Sequence, residues 1–283
     1  MSLNRRQNYL LIIVKNIKCW SYIYIGDYVK KIKVLIIIVL MLFSFYLSDE
    51  ITKLAINKNP IMESIKEKSD SLTVMGTNAI INENTIIPGI NGKKVDEEAS
   101  FFKMKEFGIF NETYLVFENI KPNISLEDNK DKIIIQGNKN LRQVSIIIDD
   151  DCNLLNYFEN KNINLTILAK TDTTFAKYEY INSEKDINKF NDLESILKKN
   201  NLNKKICVLE KSNIETCKKK KNYLVKPNII VSNKDIIKNK KNITNGSILY
   251  IDKNVSKNTI EILINQIKHL DLKIVYLSQL ISE

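Results

Sequence analysis

Val144 to Asp151 read VSIIIDDD, an apolar, β-branched run that ends in three acids. A short continuous apolar run of this kind predicts a strand buried on both faces, and such strands belong to parallel sheets. Working outward, Leu154 to Phe158 begins a helix and Leu165 to Ala169 is a second strand. Further strands are predicted over Ile206 to Leu209, Asn228 to Val231, Ser247 to Ile251 and Ile274 to Leu277, with helices between them. Ile260, Leu263, Ile264, Ile267 and Leu270 mark one apolar face of the helix before the last strand, and Ser278 caps a final turn. Alternating strands and helices predict an α/β domain over 144–283 with parallel pairing and helical crossovers.

Before it, residues 72–138 read as a small α+β module. Asn91-Gly92 is a hairpin signal, Asp96 caps a helix running through Phe107, and Gly108 stops that helix. Tyr114 to Ile120 and Lys132 to Gln136 read as strands separated by Pro122. Residues 49–71 are polar and Lys-rich, the composition of a stalk.

Val34 to Leu47 read VLIIIVLMLFSFYL, fourteen residues without a charge. With Ile32 included and Lys33 snorkelling, residues 32–48 approach the length of a short membrane span. No A-x-A-like site follows, and Tyr46 stands where cleavage after Ser48 needs a small residue, so an uncleaved anchor is expected. Residues 1–31 carry Arg5, Arg6, Lys15, Lys18, Lys30 and Lys31 against Asp27. The positive-inside rule makes that segment cytoplasmic and the bulk extracytoplasmic, in a single-pass protein of the cell membrane.

The 283 residues, 44% hydrophobic and 27% charged, suffice for a full core and exclude a disulfide-stapled miniprotein or a disordered chain. A single histidine, His269, excludes any mechanism needing two; it reads as a residue near a helix end. Four cysteines show no C-x-x-C spacing, and only Cys207 and Cys217 are near enough for a local disulfide. The net charge of +10 includes a band over Lys218 to Lys221, Lys226, Lys234, Lys238, Lys240 and Lys241. Without aromatic interleaving the band does not suit nucleic acid; outside a cell its partner is an anionic wall polymer or a lipid surface, and its plain reading is a solvated loop.

The order of elements resembles a polysaccharide deacetylase domain, the carbohydrate esterase family built on a deformed β/α barrel. VSIIIDDD followed by a helix and NLTILAK is similar to the family's opening strands. NGSILYIDKN (245–254) and TIEILINQIKHLDLKIVYLSQLISE (259–283) are similar to its closing ones. The segment IIPGINGKKVDEEASFFKMKEFGIFNETYLVFENIKP (86–122) looks like the extension of some membrane-anchored members.

The resemblance implies that Asp149 stands at the position of the general base and Asp150 at that of a metal ligand. In the family the metal polarises an acetamide carbonyl and activates water while the base takes its proton. No H-x-x-x-H supplies the remaining zinc ligands, Asp252 stands where a histidine acid is expected, and Cys207 where an arginine is. The expectation is therefore a degenerate, catalytically inactive member that binds cell-wall glycan and needs no cofactor. Two alternatives stay open: an active hydrolase removing N-acetyl groups with zinc or another divalent metal, and an envelope scaffold using residues 72–138. Asp149, Asp150 and Asp151 also suit a hard cation through oxygen alone, or the capping of the next helix.

Overall fold

The computed structural model describes residues 32–150, 154–175, 177–209, 213–235 and 240–283. The expectations that fall on residues 1–31, Asp151 and Lys238 lie outside them. The described residues form two compact units, 32–71 with 96–116 and 72–95 with 117–283. These units divide the chain along a different line from the sequence boundaries at 138 and 144, because strands from both sides of that point share one sheet.

In the first unit, α1 (Ile32–Asn57) is long and apolar enough to cross a membrane. At 1.5 Å per residue it extends about 39 Å, so residues 49–57, expected in a stalk, continue the helix. After it come α2 (Pro60–Leu72) and α3 (Glu97–Lys105). Asp96 caps α3, its carboxylate accepting from the Ala99 N–H at 2.9 Å, and Gly108 takes the left-handed φ of 68° beyond it. Met62, Ile65, Phe101 and Met104 are buried, Phe107 stacks on Tyr114, and Lys68 pairs with Glu112.

The second unit holds two main sheets. One runs β1 (Ile80–Asn82), β2 (Thr85–Ile87), β5 (Ile133–Ile134), β10 (Tyr223–Val225), β9 (Ile206–Val208). Only its β1–β2 pair is antiparallel. The other, wholly parallel, runs β11 (Ile229–Val231), β12 (Ile248–Ile251), β6 (Gln143–Asp149), β7 (Thr166–Ala169), β8 (Glu179–Asn182). β13 (Lys273–Ile274) joins the start of β6 in parallel. A separate ribbon pairs β3 (Gly92–Val95) with β4 (Phe117–Ile120). The hairpin turn falls at Glu83, between β1 and β2, and not at Asn91-Gly92, where Gly92 instead opens β3. Leu277, expected at the end of the last strand, begins the short helix α8 (Leu277–Leu280), so Ser278 lies inside that helix.

Strand alternation sorts the side chains into two layers. Val144, Ile146 and Ile148 of β6 face outward into a core with Phe158, Leu193, Leu197, Leu263 and Ile267 from α4 (Leu155–Asn160), α5 (Ile187–Lys199) and α7 (Lys257–His269). Ile147 faces inward, with Leu168 and Ile181 of its own sheet and Ile86, Ile134, Ile206, Val208 and Val225 of the other. The two sheets thus enclose a common apolar interior, a deformed barrel. The ladders stop at β8 and β9, which meet through the Val208 N–H donating to Ser183 Oγ at 3.3 Å. Leu277, Leu280 and Ile281 close the end at the strands' amino termini. There Gly246, at φ 79°, lies so close to the Gly137 carbonyl that a side chain has no room.

Candidate functional site

β6 carries Asp149 and Asp150 out of the interior at its carboxyl end, where parallel α/β sheets place their ligands. On the inward row Ser145, Ile147, Asp149, the carboxylate of Asp149 ends at the mouth of the barrel with its side chain 13% exposed. β12 pairs with β6 in a register that sets Tyr250 against Ile147, on the same inward side as Ile248. The Tyr250 hydroxyl donates to Asp149 Oδ2 at 2.9 Å, and the Lys253 ammonium lies 3.4 Å from the same oxygen.

Asp150 has a different partner. Thr173 Oγ1 donates to Asp150 Oδ2 at 2.7 Å and accepts the Lys170 N–H at 2.7 Å. That threonine is buried in the loop after β7, so the loop is pinned to the exit of β6. The mouth therefore presents two carboxylates, each already met by donors, with one lysine among them.

The other sequence candidates are not gathered here. Asp252 is exposed in the turn after β12, its N–H donating to the Val231 carbonyl and its own carbonyl accepting from Val255. His269 ends α7, exposed, just before the Lys273–Gln143 pairing at the start of β6. The seven residues of β6 separate it from Asp149 by about 20 Å. Cys207 faces outward with Phe190 and Leu224, bonded to Cys217 of α6 (Ile214–Lys219) with a Cα separation of 5.9 Å.

A zinc ion does not fit this arrangement. Among the described residues no three His, Cys, Asp or Glu side chains form a group able to hold a metal. Asp150 has no imidazole beside it to complete a set, and the Lys253 ammonium puts a positive charge at the mouth. Sequence reasoning missed Tyr250, Lys253 and Thr173. Tyr250 was within reach, since the alternation in Ile248 to Ile251 turns it to the side of Ile248. Thr173 had no sequence signal, because only the fold of its loop brings it to Asp150.

No family model matches the chain. It is 36% identical over 94 residues to the uncharacterized protein YlxY of Bacillus subtilis (strain 168), a match spanning 33% of this chain and 30% of that relative. It superposes on a BA3943 mutant described as a CE4 family pseudoenzyme with restored enzymatic activity, at a TM-score of 0.52 and 18% identity. A second BA3943 mutant, described as a CE4 family pseudoenzyme, gives 0.50 and 17%. Both superpositions cover 79% of this chain and 98% of the other, and BA3943 itself is from Bacillus anthracis. The likeness identifies the fold as that of the carbohydrate esterase family 4 polysaccharide deacetylases.

Proposed function

We propose that this chain, built on the polysaccharide deacetylase fold, is an envelope protein that binds cell-wall glycan at the mouth of its barrel without hydrolysing it. The observation that carries the reading is the engagement of Asp149 Oδ2 by both Tyr250 and Lys253. A general base needs an oxygen open to the attacking water, and deacetylation by this fold needs a metal with imidazole ligands. Tyr250 and Lys253 engage Oδ2 of the would-be base, and the metal requirement is not met by the described residues, whereas Asp149, Asp150, Thr173 and Lys253 together offer the donors and acceptors that sugar hydroxyls use. The roles of base for Asp149 and metal ligand for Asp150 are on this reading vestigial, and no cofactor takes part.

The same reading places the chain in the cell membrane, with α1 as its single anchor and the barrel outside. The basic residues before α1 support that orientation, as does the Cys207–Cys217 disulfide, since such bonds persist in oxidising compartments. The test uses the full chain in detergent micelles, assayed for bound metal, for acetate release from N-acetylglucosamine oligomers and for binding of those oligomers. Binding without acetate is expected, weakened by Lys253→Met. Zinc-dependent acetate release that disappears in Asp149→Asn would overturn the reading in favour of an active hydrolase.

A further inference from the structure

We propose a second binding site, for a phosphodiester polymer, in the cavity of about 530 Å³ lined by Asn84, Lys130, Asp131, Ile133, Lys218, Lys221, Asn222 and Leu224. Asn84, Asp131 and Asn222 immediately precede or closely approach the amino ends of the parallel strands β2, β5 and β10. β9 and β8 meet at their carboxyl ends, so both sheets run the same way and the cavity lies at the pole opposite Asp149. It is therefore separate from the barrel mouth.

Three lysines line this cavity with one acid, Asp131, whose carboxylate lies 4.0 Å from the Lys132 ammonium outside it. Lys130 approaches the Tyr223 ring, 5.6 Å from its centroid, and lies 3.8 Å from Glu127 Oε1, so the two lysines of α6 and its C-terminal turn carry the unpaired charge. Lys218 and Lys221 make no ion pair among the described residues. Their neighbour Lys220 is different: it bonds Glu194 at 2.9 Å and lies over Phe190. The basic band of the sequence thus splits into a lysine that holds the fold and two that are left to the cavity.

Lys221 gives an independent reason to read a ligand. The residues that follow α4, α5, α6 and α7 in the left-handed region are Asn162, Asn201, Lys221 and Asp271, with φ of 51°, 58°, 53° and 53°. Asn and Asp adopt that conformation readily, whereas lysine is strained there. The dipole of α6 accounts for lysines in its last turn, but not for a strained one beyond it, nor for Lys130 from another element. Ammonium groups at spaced positions suit the repeating phosphates of a polyol- or sugar-phosphate chain. The carboxamides of Asn84 and Asn222 and the apolar Ile133 and Leu224 suit its hydroxyls and carbon backbone.

The experiment titrates the full chain in phosphatidylcholine nanodiscs with a glycerol phosphate oligomer. Wild type is expected to bind with strong salt dependence, and Lys218→Gln/Lys221→Gln to bind about tenfold or more weakly. Lys234→Gln/Lys241→Gln removes the same charge elsewhere and is expected to change binding less than twofold. Equal losses in the two double variants, or none in the first, would overturn the proposal. Flotation with phosphatidylglycerol vesicles without oligomer binding would also overturn it, assigning the lysines to a lipid surface. Lys221→Gly separates ligand from fold: its melting temperature is expected to rise while oligomer binding falls, and unchanged binding would count against the site.

Discussion

Each end of the parallel sheet carries an inward-facing carboxyl group bonded to a hydroxyl, and the two have opposite fates. At the amino ends of the strands, Glu179 is 6% exposed; its Oε2 accepts the Thr166 hydroxyl at 2.8 Å and the Ser278 N–H at 3.1 Å. Thr166 Oγ1 in turn accepts the Leu277 N–H at 2.9 Å, so this pair seats α8 as the plug of the barrel. At the carboxyl ends, Asp149 accepts the Tyr250 hydroxyl and pairs with Lys253; its side chain is 13% exposed and that of Lys253 is half exposed. The same pairing of acid and hydroxyl is a structural joint where α8 seals it and, on the proposed function, part of the ligand surface at the mouth. The helix seated on the Glu179–Thr166 pair, not residue type, marks that end as structural.

The sharpest way to break that contrast is to remove one partner of each pair in turn. Glu179→Ala leaves the Thr166 hydroxyl and the Ser278 N–H unmet in the interior. At about 1–3 kcal/mol for each buried donor, the expected loss is about 3 kcal/mol in urea unfolding, with glycan binding by the folded fraction unchanged. The disulfide comes next. Cutting a link with a sequence separation of 10 is expected to cost about 3 kcal/mol from loop entropy, measured on Cys207→Ala/Cys217→Ala. At the open end the effect on stability shrinks. Tyr250→Phe deletes one hydrogen bond at the surface of the interior and is expected to cost about 1 kcal/mol or less, while weakening glycan binding severalfold. A loss from Tyr250→Phe as large as that from Glu179→Ala would show that both ends hold the fold and remove the contrast.

How far the sequence foretold this depends on the same distinction. The outward-facing rows were legible, since apolar residues recur at strand and helix periods: VSIIID lies in β6, and Ile260, Leu263, Ile264 and Ile267 became the buried face of α7. Asp149 and Asp150 were singled out by resemblance to the family's opening pair of aspartates, and they stand at the exit of β6. What was not legible depends on partners distant in sequence. β8 contains Glu179 and Asn182, polar residues that a buried strand rarely carries, and it reads as loop until Thr166 and the Phe190 carbonyl are seen beside them. Tyr223 to Val225 is too short to signal a strand, and is one because β5 and β9 flank it. Asn91-Gly92 looked like a turn, yet the glycine serves a close backbone approach by Val74.

A third carboxylate sharpens the comparison at its smallest scale. Glu194, on α5, lies on the outside of the unit, its side chain 22% exposed. Burial opposes its ionisation, but hydrogen bonds from Lys220 and Lys198 prevail and hold its carboxyl below the usual range. Because the folded value lies below the unfolded one, the stabilisation is present above the unfolded carboxylate range and lost as pH falls through the folded value. Ion pairs this near the surface contribute about 0.2–1 kcal/mol, so the expected effect is a shallow decline in stability on the acid side of about pH 4. Lys220→Met should flatten that decline while leaving glycerol phosphate binding intact, because Lys220 belongs to the fold and not to the cavity. Loss of oligomer binding in Lys220→Met, with the acid decline unchanged, would reverse the sorting of these lysines into structural and ligand-facing.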